Sequence, residues 1–399
     1  MTDLDPALEA EALRVSAVLL ADAERADFRG YDPFDALNSV VFKWSGLGRM
    51  PFCRLAWLQF HKRSPINFRR LVGVPQERNP KGVALYLLGE LEGPVDGSRL
   101  KRLSHLGDWL LSASVDRQTW GGFGWGYNFD WQARAFFVPK GTPNAITTTF
   151  VTRALLALGR ATGEGKFVDA ALEAGKVLDR LLHGRIDGHA YYQYIPGHEV
   201  FVHNASLWTA AIVALTARLR GDADLVERAL EVATVSACMQ ADDGSWEYGT
   251  RPHHRFIDGF HTGYNLEALA LLDAELPVSQ FEDTIRRGLG FYEANFFTDQ
   301  GDCKYYNSAT LPIDTHSFAQ ALVTLVRLGD RVTDSGLLGK VAKRGIETLF
   351  DEHGRRFVYQ ITRTGKNRVA YRRWTQAWAF YALKVLISQR KMSDLQHSF

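Results

Sequence analysis

Cysteine is scarce in this chain, and so are long apolar runs without charge. Only Cys53, Cys238 and Cys303 occur among 399 residues, and their odd number and wide spacing argue against a disulfide framework. No stretch of about 20 apolar residues lacks a charge, so no membrane-spanning helix is expected. The N-terminal segment is acidic and amphipathic and lacks the basic start of a signal peptide. These absences together predict a cytoplasmic protein.

A strong excess of charge is also missing. The chain has 47 Lys and Arg against 45 Asp and Glu, a formal net charge of +2, which argues against a nucleic-acid partner. The densest basic stretch, HKRSPINFRR at residues 61–70, is interpreted as a solvated surface.

Motifs for cofactors are absent as well. Neither a CxxC pair nor HExxH occurs, so no metal is expected. There is no P-loop and no GxSxG motif. The closely spaced glycines of GFGWGYNF lack a preceding strand and a following helix, which disfavours a dinucleotide site. No cofactor is therefore predicted.

What the chain does contain is a repeat of apolar helices. Segments that open with polar or capping residues and continue as Ala/Leu/Val runs recur at intervals of 65, 60, 54, 56 and 59 residues. They begin near Asn79, Asn144, Asn204, Asp258, Asp314 and Arg373. Because these runs are apolar nearly all round, they are predicted to be buried helices.

A second set of six helices alternates with the first. These have apolar residues at i, i+3, i+4 and i+7 and a charged face, which predicts half-exposed helices. Six helical hairpins in a double ring form an all-α (α/α)6 toroid. We expect residues 1–399 to form one such domain, with residues 28–78 as an insert packed over one face. Weak alternation at residues 190–194 and 356–362 predicts short hairpins at the rim.

The loops before the buried helices are long, polar and rich in aromatic residues, whereas those after them are short. Long loops in a compact domain are usually functional. Five such loops at one end of a ring would converge on its central mouth, so the site is predicted there. An aromatic plug that merely fills the mouth is the structural alternative.

Candidate catalytic residues lie at the starts of the buried helices. Asp258, His261 and Tyr264 are spaced i, i+3, i+6, which predicts an acid/base cluster. Asp314 and His316 would face this cluster from the next buried helix, with His203 on the other side. Asn144, Asn204, Asp258 and Asp314 are also good N-cap residues, so capping is an alternative role for them.

Candidate substrate-binding residues come mainly from the first long loop. Aromatic faces beside polar groups suit a sugar, and an arginine can grip a carboxylate with two hydrogen bonds. The predicted binding set is Trp125, Tyr127, Asp130, Trp131, Arg134, Tyr194, Trp246, Arg373 and Trp374. Arg134 or Arg373 is the candidate for the carboxylate.

The segments YDPFDALNS, GFGWGYNFDWQAR and HTGYNLEALALL, together with the helix repeat, resemble α/α-toroid proteins of bacterial exopolysaccharide biosynthesis, the VpsJ-type group. Toroids related to that group include unsaturated glucuronyl hydrolases, sugar epimerases and polysaccharide lyases. The resemblance implies acid/base chemistry on a uronic-acid-type sugar, by hydrolysis, elimination or epimerisation. It also implies partners in a polysaccharide assembly system.

Two other functions remain open. QADDGSWEYG at residues 240–249 resembles the QW motif of terpenoid cyclases, and HTGYNLEAL is similar to the zinc-histidine stretch of prenyltransferases. The DxDD acid motif and the Asp-x-Cys element of those enzymes are missing, however. A non-catalytic glycan-binding or assembly protein is the other alternative. Two carboxyls across the cavity would favour glycosidic chemistry, a wholly apolar cavity the terpenoid function, and a cavity without an acid/base pair binding alone.

Overall fold

Two concentric rings of helices alternate along residues 4–133, 137–275 and 280–392, which are those that the computed structural model describes. The inner helices of this part are α4 (Pro80–Glu90), α7 (Ala145–Thr162), α9 (His203–Arg220), α11 (Gly259–Glu275), α13 (Thr315–Arg327) and α15 (Ala377–Ser388). The outer helices are α1 (Pro6–Arg25), α5 (Gly97–Ser112), α8 (Gly165–Leu182), α10 (Ala223–Cys238), α12 (Glu282–Asn295) and α14 (Leu337–Leu349).

The inner ring is closed. Each inner helix contacts the next one along the chain, and α15 contacts α4. The (α/α)6 toroid predicted from the repeat is therefore confirmed. Burial follows the predicted pattern, since every residue of α4 is buried, whereas α14 buries only one face. Small residues allow close packing between the rings: a Cβ added at Gly345 of α14 would lie 2.1 Å from the Phe318 ring of α13.

Side-chain caps start several inner helices, as predicted. Asn144 accepts a hydrogen bond from the Thr147 N–H at 2.8 Å, and Asp314 accepts one from the His316 N–H at 2.7 Å. The predicted cap at Asn204 is wrong, because α9 begins at His203 and Asn204 lies inside it. A backbone carbonyl of another loop accepts a hydrogen bond at the start of α9 instead, since the His203 N–H donates to the Tyr248 carbonyl at 3.2 Å.

Short strands form in the loops between the helices. The hairpin expected near residues 190–194 forms from β3 (His183–Ile186) and β4 (His189–Tyr192). The stretch 356–362 divides between β8 (Arg356–Phe357), which pairs with β7 (Phe350–Asp351), and β9 (Gln360–Thr362). A four-stranded sheet that was not predicted has the order β10-β9-β6-β5; its other strands are β5 (Lys304–Tyr306), β6 (Ala309–Asp314) and β10 (Gly365–Asn367). The last pair is β1 (Trp131–Gln132) and β2 (Phe137–Val138).

Residues 28–78 contain short helices that belong to neither ring. These are a 3-10 turn (Asp35–Asn38), α2 (Val40–Trp44), a second 3-10 turn (Leu47–Arg49) and α3 (Pro51–Arg63). Leu37, Phe42 and Leu58 form a small core with Trp131 and Phe137. This segment therefore packs on the loop that precedes α7.

The remaining short elements lie in the loops. They are α6 (Arg117–Trp120), a 3-10 turn (Pro252–His254) and a π-helical turn (Arg372–Gln376) that leads into α15. No helix in the described part of the chain is both long and apolar enough to cross a membrane. Cys53, Cys238 and Cys303 are not joined by disulfides.

Candidate functional site

A cavity of about 310 Å³ lies at the N-terminal ends of the inner helices. The second residue of five successive inner helices lines it, and a residue of the π-helical turn before α15 completes the ring. These residues are Lys81, Ile146, Asn204, Phe260, His316 and Trp374. The periodicity of the chain therefore places one side chain from every hairpin around a common space.

Aromatic side chains from the long loops and from residues 28–78 form much of the remaining wall. They are Phe34, Tyr127, Phe129, Trp131, Tyr194, Tyr248, Phe256, Tyr305 and Tyr359. The hydroxyls of Tyr127 and Tyr194 are hydrogen-bonded to each other. Such a wall offers ring faces to the C–H surfaces of a ligand and a few hydroxyls to its polar groups.

His261 is held by the carboxylate that precedes it on α11. Its Nδ1 lies 2.7 Å from Asp258 Oδ2, and its backbone N–H donates to Asp258 Oδ1 at 2.8 Å. Asp258 is buried and accepts both bonds, so Nδ1 carries a proton, and in the neutral imidazole Nε2 has the free lone pair. His261 lines the cavity; among the described residues no protein group is hydrogen-bonded to its Nε2. This nitrogen is therefore available to a ligand.

The Phe260 ring lies between His261 and His316 and contacts both. The Phe260 ring lies 3.7 Å from the His261 ring and 4.5 Å from the His316 ring, measured between centroids. Burial lowers the pKa of His316 well below its ordinary value, so its imidazole is neutral at pH 7. Its Nε2 is buried without a hydrogen-bond partner in the described structure. Tyr264 lines the same space, and its hydroxyl also has no partner there.

Asp314 lines the cavity but its oxygens are engaged. Oδ1 accepts the N–H groups of His316 and Ser317, and Oδ2 accepts from Gln360 Nε2 at 2.7 Å. Burial raises the pKa of the carboxyl to about 6, although these donors oppose the rise. This geometry orients the start of α13, and with it His316.

Lys81 is one of two lysines that line the cavity. Its side chain is almost fully buried, and its ammonium group lies 4.6 Å from the Trp374 ring centre and 5.2 Å from that of Trp378. No carboxylate of the described residues forms an ion pair with it. Burial lowers its pKa to about 7. Lys62 of α3 also lines the cavity, and burial lowers its pKa too.

Eight predicted site residues line this space, namely Tyr127, Trp131, Tyr194, His261, Tyr264, Asp314, His316 and Trp374. Asp258 contacts it only through His261. The spacing i, i+3 at a helix start was a sufficient signal for the Asp258–His261 contact.

Three predicted residues are placed in packed surroundings instead. His203 Nδ1 lies 3.2 Å from Ser236 Oγ, and His203 does not line the cavity. The Trp125 indole N–H donates to the Leu110 carbonyl, and that of Trp246 to the Ser236 carbonyl. Both indoles are fully covered because they fill the space between loop and helices. They offer no face to a substrate.

The polar residues predicted to orient a substrate are also occupied elsewhere. Asp130, just before β1, accepts at Oδ1 the backbone N–H of Lys140, just after β2, at 2.7 Å. Arg373 is buried and donates to Asp35 Oδ2 at 2.6 Å and to Asn128 Oδ1 at 3.0 Å. Arg373 is thus paired inside the protein and does not line the cavity. Arg134 lies outside the described residues.

The QW-like element ties helices together. Gln240 Nε2 donates to the carbonyls of Gly244 and Thr284, each at 3.0 Å, while Trp246 packs against Gly288 of α12. This arrangement matches the structural interpretation of the motif. No group of three or more metal-ligating side chains occurs in the described ranges.

Several cavity residues were missed from the sequence, above all Lys81, Lys62, Tyr248, Asn204 and Tyr359. For Lys81 there was a signal, since it is the one charged side chain in the first nine residues of the apolar run that starts at Asn79. Tyr248 lies 4.4 Å from the His261 ring, between centroids, and comes from the loop before α11. Nothing in its local sequence distinguishes it from other loop tyrosines.

No protein-family model matches the chain, and no curated protein matches it. Among solved structures, cellobiose 2-epimerase from Bacillus thermoamylovorans B4167 superposes with a TM-score of 0.60 at 13% identity, covering 78% of this chain and 89% of that one. Cellobiose 2-epimerase from Spirochaeta thermophila DSM 6192 gives 0.57 at 17%, covering 78% and 86%. A glycosyl hydrolase family 88 protein from Bacteroides vulgatus gives 0.53 at 13%, covering 78% and 92%. These similarities establish the toroid fold.

Proposed function

We propose that the protein is an enzyme that moves a proton at a carbon atom of a sugar, as an epimerase does. The observation that carries this proposal is the Asp258–His261 pair, with 2.7 Å between Oδ2 and Nδ1, at the wall of the cavity. A carboxylate on Nδ1 orients the imidazole and stabilises the imidazolium that forms when Nε2 takes a proton. Asp258 is therefore a positioning residue and His261 the base.

The reaction breaks a C–H bond next to a carbonyl or carboxyl group of the sugar. The proton goes to His261 Nε2, and the electron pair moves into the adjacent group to give an enolate oxygen. His316, neutral because it is buried, stabilises that oxygen by donating a ring N–H, and Lys81 adds positive charge nearby. A proton from water added to the opposite face of the carbon completes an epimerisation, and His261 returns its proton to the hydroxide that remains. In an elimination, the bond to the oxygen substituent on the next carbon breaks, its electron pair leaves with the oxygen, and that oxygen is protonated.

Hydrolysis by two carboxylates is less well supported. Glycosidases of that type place two carboxyl groups on either side of the scissile bond, whereas Asp314 is the single carboxylate among the described residues lining the cavity. Its oxygens already accept three hydrogen bonds. The cavity also lacks the wholly apolar wall that a terpenoid substrate would favour, since two lysines and two histidines line it.

An acidic sugar of the uronic-acid type is the substrate class that we propose. Lys81 and Lys62 place two amino groups in the cavity wall against its one carboxylate, and Lys81 forms no ion pair in the described protein. A buried cation without a counterion is costly, so a substrate carboxylate would supply the missing charge. The likeness to exopolysaccharide toroids supports a role in polysaccharide synthesis, with the assembly system as the source of partners.

The experiment is solvent deuterium exchange. The protein is incubated in D₂O with glucuronate and, separately, with glucose, and ¹H NMR follows loss of the C–H signals. We expect exchange at a carbon next to the carbonyl or carboxyl group, abolished in His261→Asn. His189→Asn is the control, because His189 is exposed on β4 and away from the cavity.

Binding without exchange would contradict the proposal. If the protein shifts the resonances of glucuronate or of an oligosaccharide of uronic acids but leaves every C–H intact, the glycan-binding alternative holds. If exchange occurs equally in His261→Asn, another group is the base. A higher KM for glucuronate in Lys81→Met, with no change for glucose, would identify Lys81 as the carboxylate-binding residue.

A further inference from the structure

Large exposed apolar side chains are concentrated in one short segment. Of the twelve that are exposed in the described part of the chain, nine lie between residues 40 and 71. They are Val40, Val41, Trp44, Leu47, Met50, Phe52, Phe60, Ile66 and Leu71. Three of them are almost wholly in water, with Trp44 89%, Leu71 82% and Phe52 80% exposed. Scattered exposed apolar residues are ordinary, but a concentration of this kind marks an interaction surface.

The same segment carries positive charge and no negative charge. Residues 36–76 contain seven Lys and Arg and not one Asp or Glu, although the chain as a whole is nearly neutral. Arg69 is buried in an ion pair with Asp35. The exposed cations are Lys43, Arg49, Arg63 and Arg70. They lie among the exposed apolar residues in the sequence.

Hydrogen bonds to backbone carbonyls hold parts of this set close together. The N–H groups of Val40 and Val41 donate to the carbonyls of Gly73 and Val72, which places Leu71 beside α2. Arg54 Nη1 donates to the Gly48 carbonyl at 2.7 Å, which holds the turn Leu47–Arg49 against α3. We call the surface formed by Val40, Val41, Lys43, Trp44, Leu47, Arg49, Met50, Phe52 and Leu71 the apolar–cationic surface.

The exposure is not a sign that the segment is loosely folded. Its opposite side has its own small core, in which Phe42 stacks on Trp57 with 5.2 Å between ring centroids. The Trp57 indole N–H donates to the Ala36 carbonyl at 3.0 Å, and Leu58 is buried. The apolar groups face water while the backbone beneath them is fixed.

We propose that the apolar–cationic surface binds the surface of an anionic phospholipid bilayer. Tryptophan and phenylalanine enter the region between headgroups and acyl chains, and the cations pair with lipid phosphates. The positive charge of this surface favours an anionic membrane over a second copy of the protein. Two copies of the protein that met through this surface would oppose Lys43 and Arg49 to their own equivalents, with no carboxylate between residues 36 and 76 to neutralise them.

This membrane contact would lie near the cavity. Helix α3 runs from Pro51 to Arg63; Phe52 near its start belongs to the apolar–cationic surface, and Lys62 near its end lines the cavity. Ten helical residues span roughly 15 Å. The protein would thus work on sugars close to the headgroup layer. The inference stands on surface residues and does not depend on the reaction assigned to the cavity.

Vesicle co-sedimentation of the full chain tests the proposal. Vesicles of phosphatidylcholine alone are compared with vesicles of equal parts phosphatidylcholine and phosphatidylglycerol, at low and high salt. We expect binding to the anionic vesicles, weakened by salt because the charges are exposed. Each exposed cation contributes about fivefold to such partitioning, so Lys43→Glu with Arg49→Glu should lower it by more than about tenfold. Trp44→Ser with Phe52→Ser should do the same through lost apolar burial, by more than about tenfold.

The matched control is Leu219→Ser with Met239→Ser, two exposed apolar residues outside the segment, which should leave partitioning unchanged. Circular dichroism checks that each variant is folded. Absence of binding to anionic vesicles at low salt would overturn the proposal, and so would equal binding by the Trp44→Ser, Phe52→Ser variant. A dimer in solution that this variant dissociates would show that the surface joins two copies instead.

Discussion

The inner helices enclose two regions of opposite character. At their N-terminal ends lies the cavity, where Lys81 has no counterion in the described protein and the Nε2 atoms of His261 and His316 lack protein partners. Two turns further along, roughly 10 Å at the helical rise, Arg153 of α7 and Glu267 of α11 form a buried ion pair at 3.2 Å.

This second region, the ion-pair layer, is formed by two pairs and the groups that bond to them. Gln320 donates to Glu267 Oε2 at 3.2 Å, and buried Arg327 pairs with Glu92. Paired charges inside the ring hold helices together, whereas an unpaired charged group beside the cavity can bind a ligand. The inner ring therefore has structural ion pairs further along its helices and the candidate chemistry at their N-terminal ends.

The largest expected effect comes from breaking the ion-pair layer. Glu267→Gln leaves Arg153 buried without a counterion, which should cost about 3–5 kcal/mol of unfolding free energy. Urea denaturation followed by circular dichroism measures it. Asp283→Asn is the control, because Asp283 pairs with Arg286 and Arg287 in water, and such pairs contribute under about 1 kcal/mol. Similar small losses for both would mean that the layer does not stabilise the ring.

A comparison of two histidine variants tests the proposed role of His261 in the reaction. His261→Asn should lower the rate of deuterium exchange by about 10²–10⁴-fold, the usual contribution of a positioned base. His203→Asn should lower it far less, because His203 contacts Ser236 and does not line the cavity. Burial also lowers the pKa of His203 to about 4. An equal loss in a folded His203→Asn variant would restore His203 to the catalytic set.

Lys81 provides a test through pH. Its pKa is lowered by burial to about 7 in the folded protein, against about 10.4 in an unfolded chain. Between these values the unfolded chain binds more protons, so this group makes stability rise with pH from about 7 to 10. Lys81→Met removes the cost of burying the charge. The variant should therefore gain stability most below pH 7, and the gain should fade towards pH 10.

Thermal unfolding of both proteins from pH 6 to pH 9.5 measures this difference. Lys101→Met is the control, because Lys101 is exposed on α5 and should show no such dependence. A constant difference across the range would mean that Lys81 is charged throughout, with an anion bound beside it.

The smallest expected effect is the difference in stability loss between alanine variants of two asparagines of the repeat. Asn144→Ala removes a side-chain cap from α7 and should cost about 1 kcal/mol. Asn204→Ala should cost less, because its Oδ1 is buried without a partner. Asn204 lines the cavity, so its substitution should instead alter ligand affinity. Equal losses of stability, measured by urea denaturation, would mean that Asn204 supports α9 after all.

Local sequence was sufficient for the architecture and for some of the site. The alternation of all-apolar and amphipathic helices predicted the double ring, and the spacing of Asp258 and His261 predicted their contact. Local sequence did not predict the roles of Trp125, Trp246 and Arg373, which resemble binding residues when only their loops are considered. Their indole N–H groups and guanidinium find partners inside the protein, at Leu110, Ser236 and Asp35.

What the sequence determined by itself is therefore the set of helices, their order and which of them are buried, because helical period and side-chain polarity act over a few residues. Only the tertiary structure decided which polar groups are left without a partner. That outcome depends on atoms far apart in the chain: Arg373 forms an ion pair with Asp35, whereas Lys81 forms none in the described protein and packs against aromatic rings. The ring follows from local pattern, and its candidate chemistry from long-range pairing.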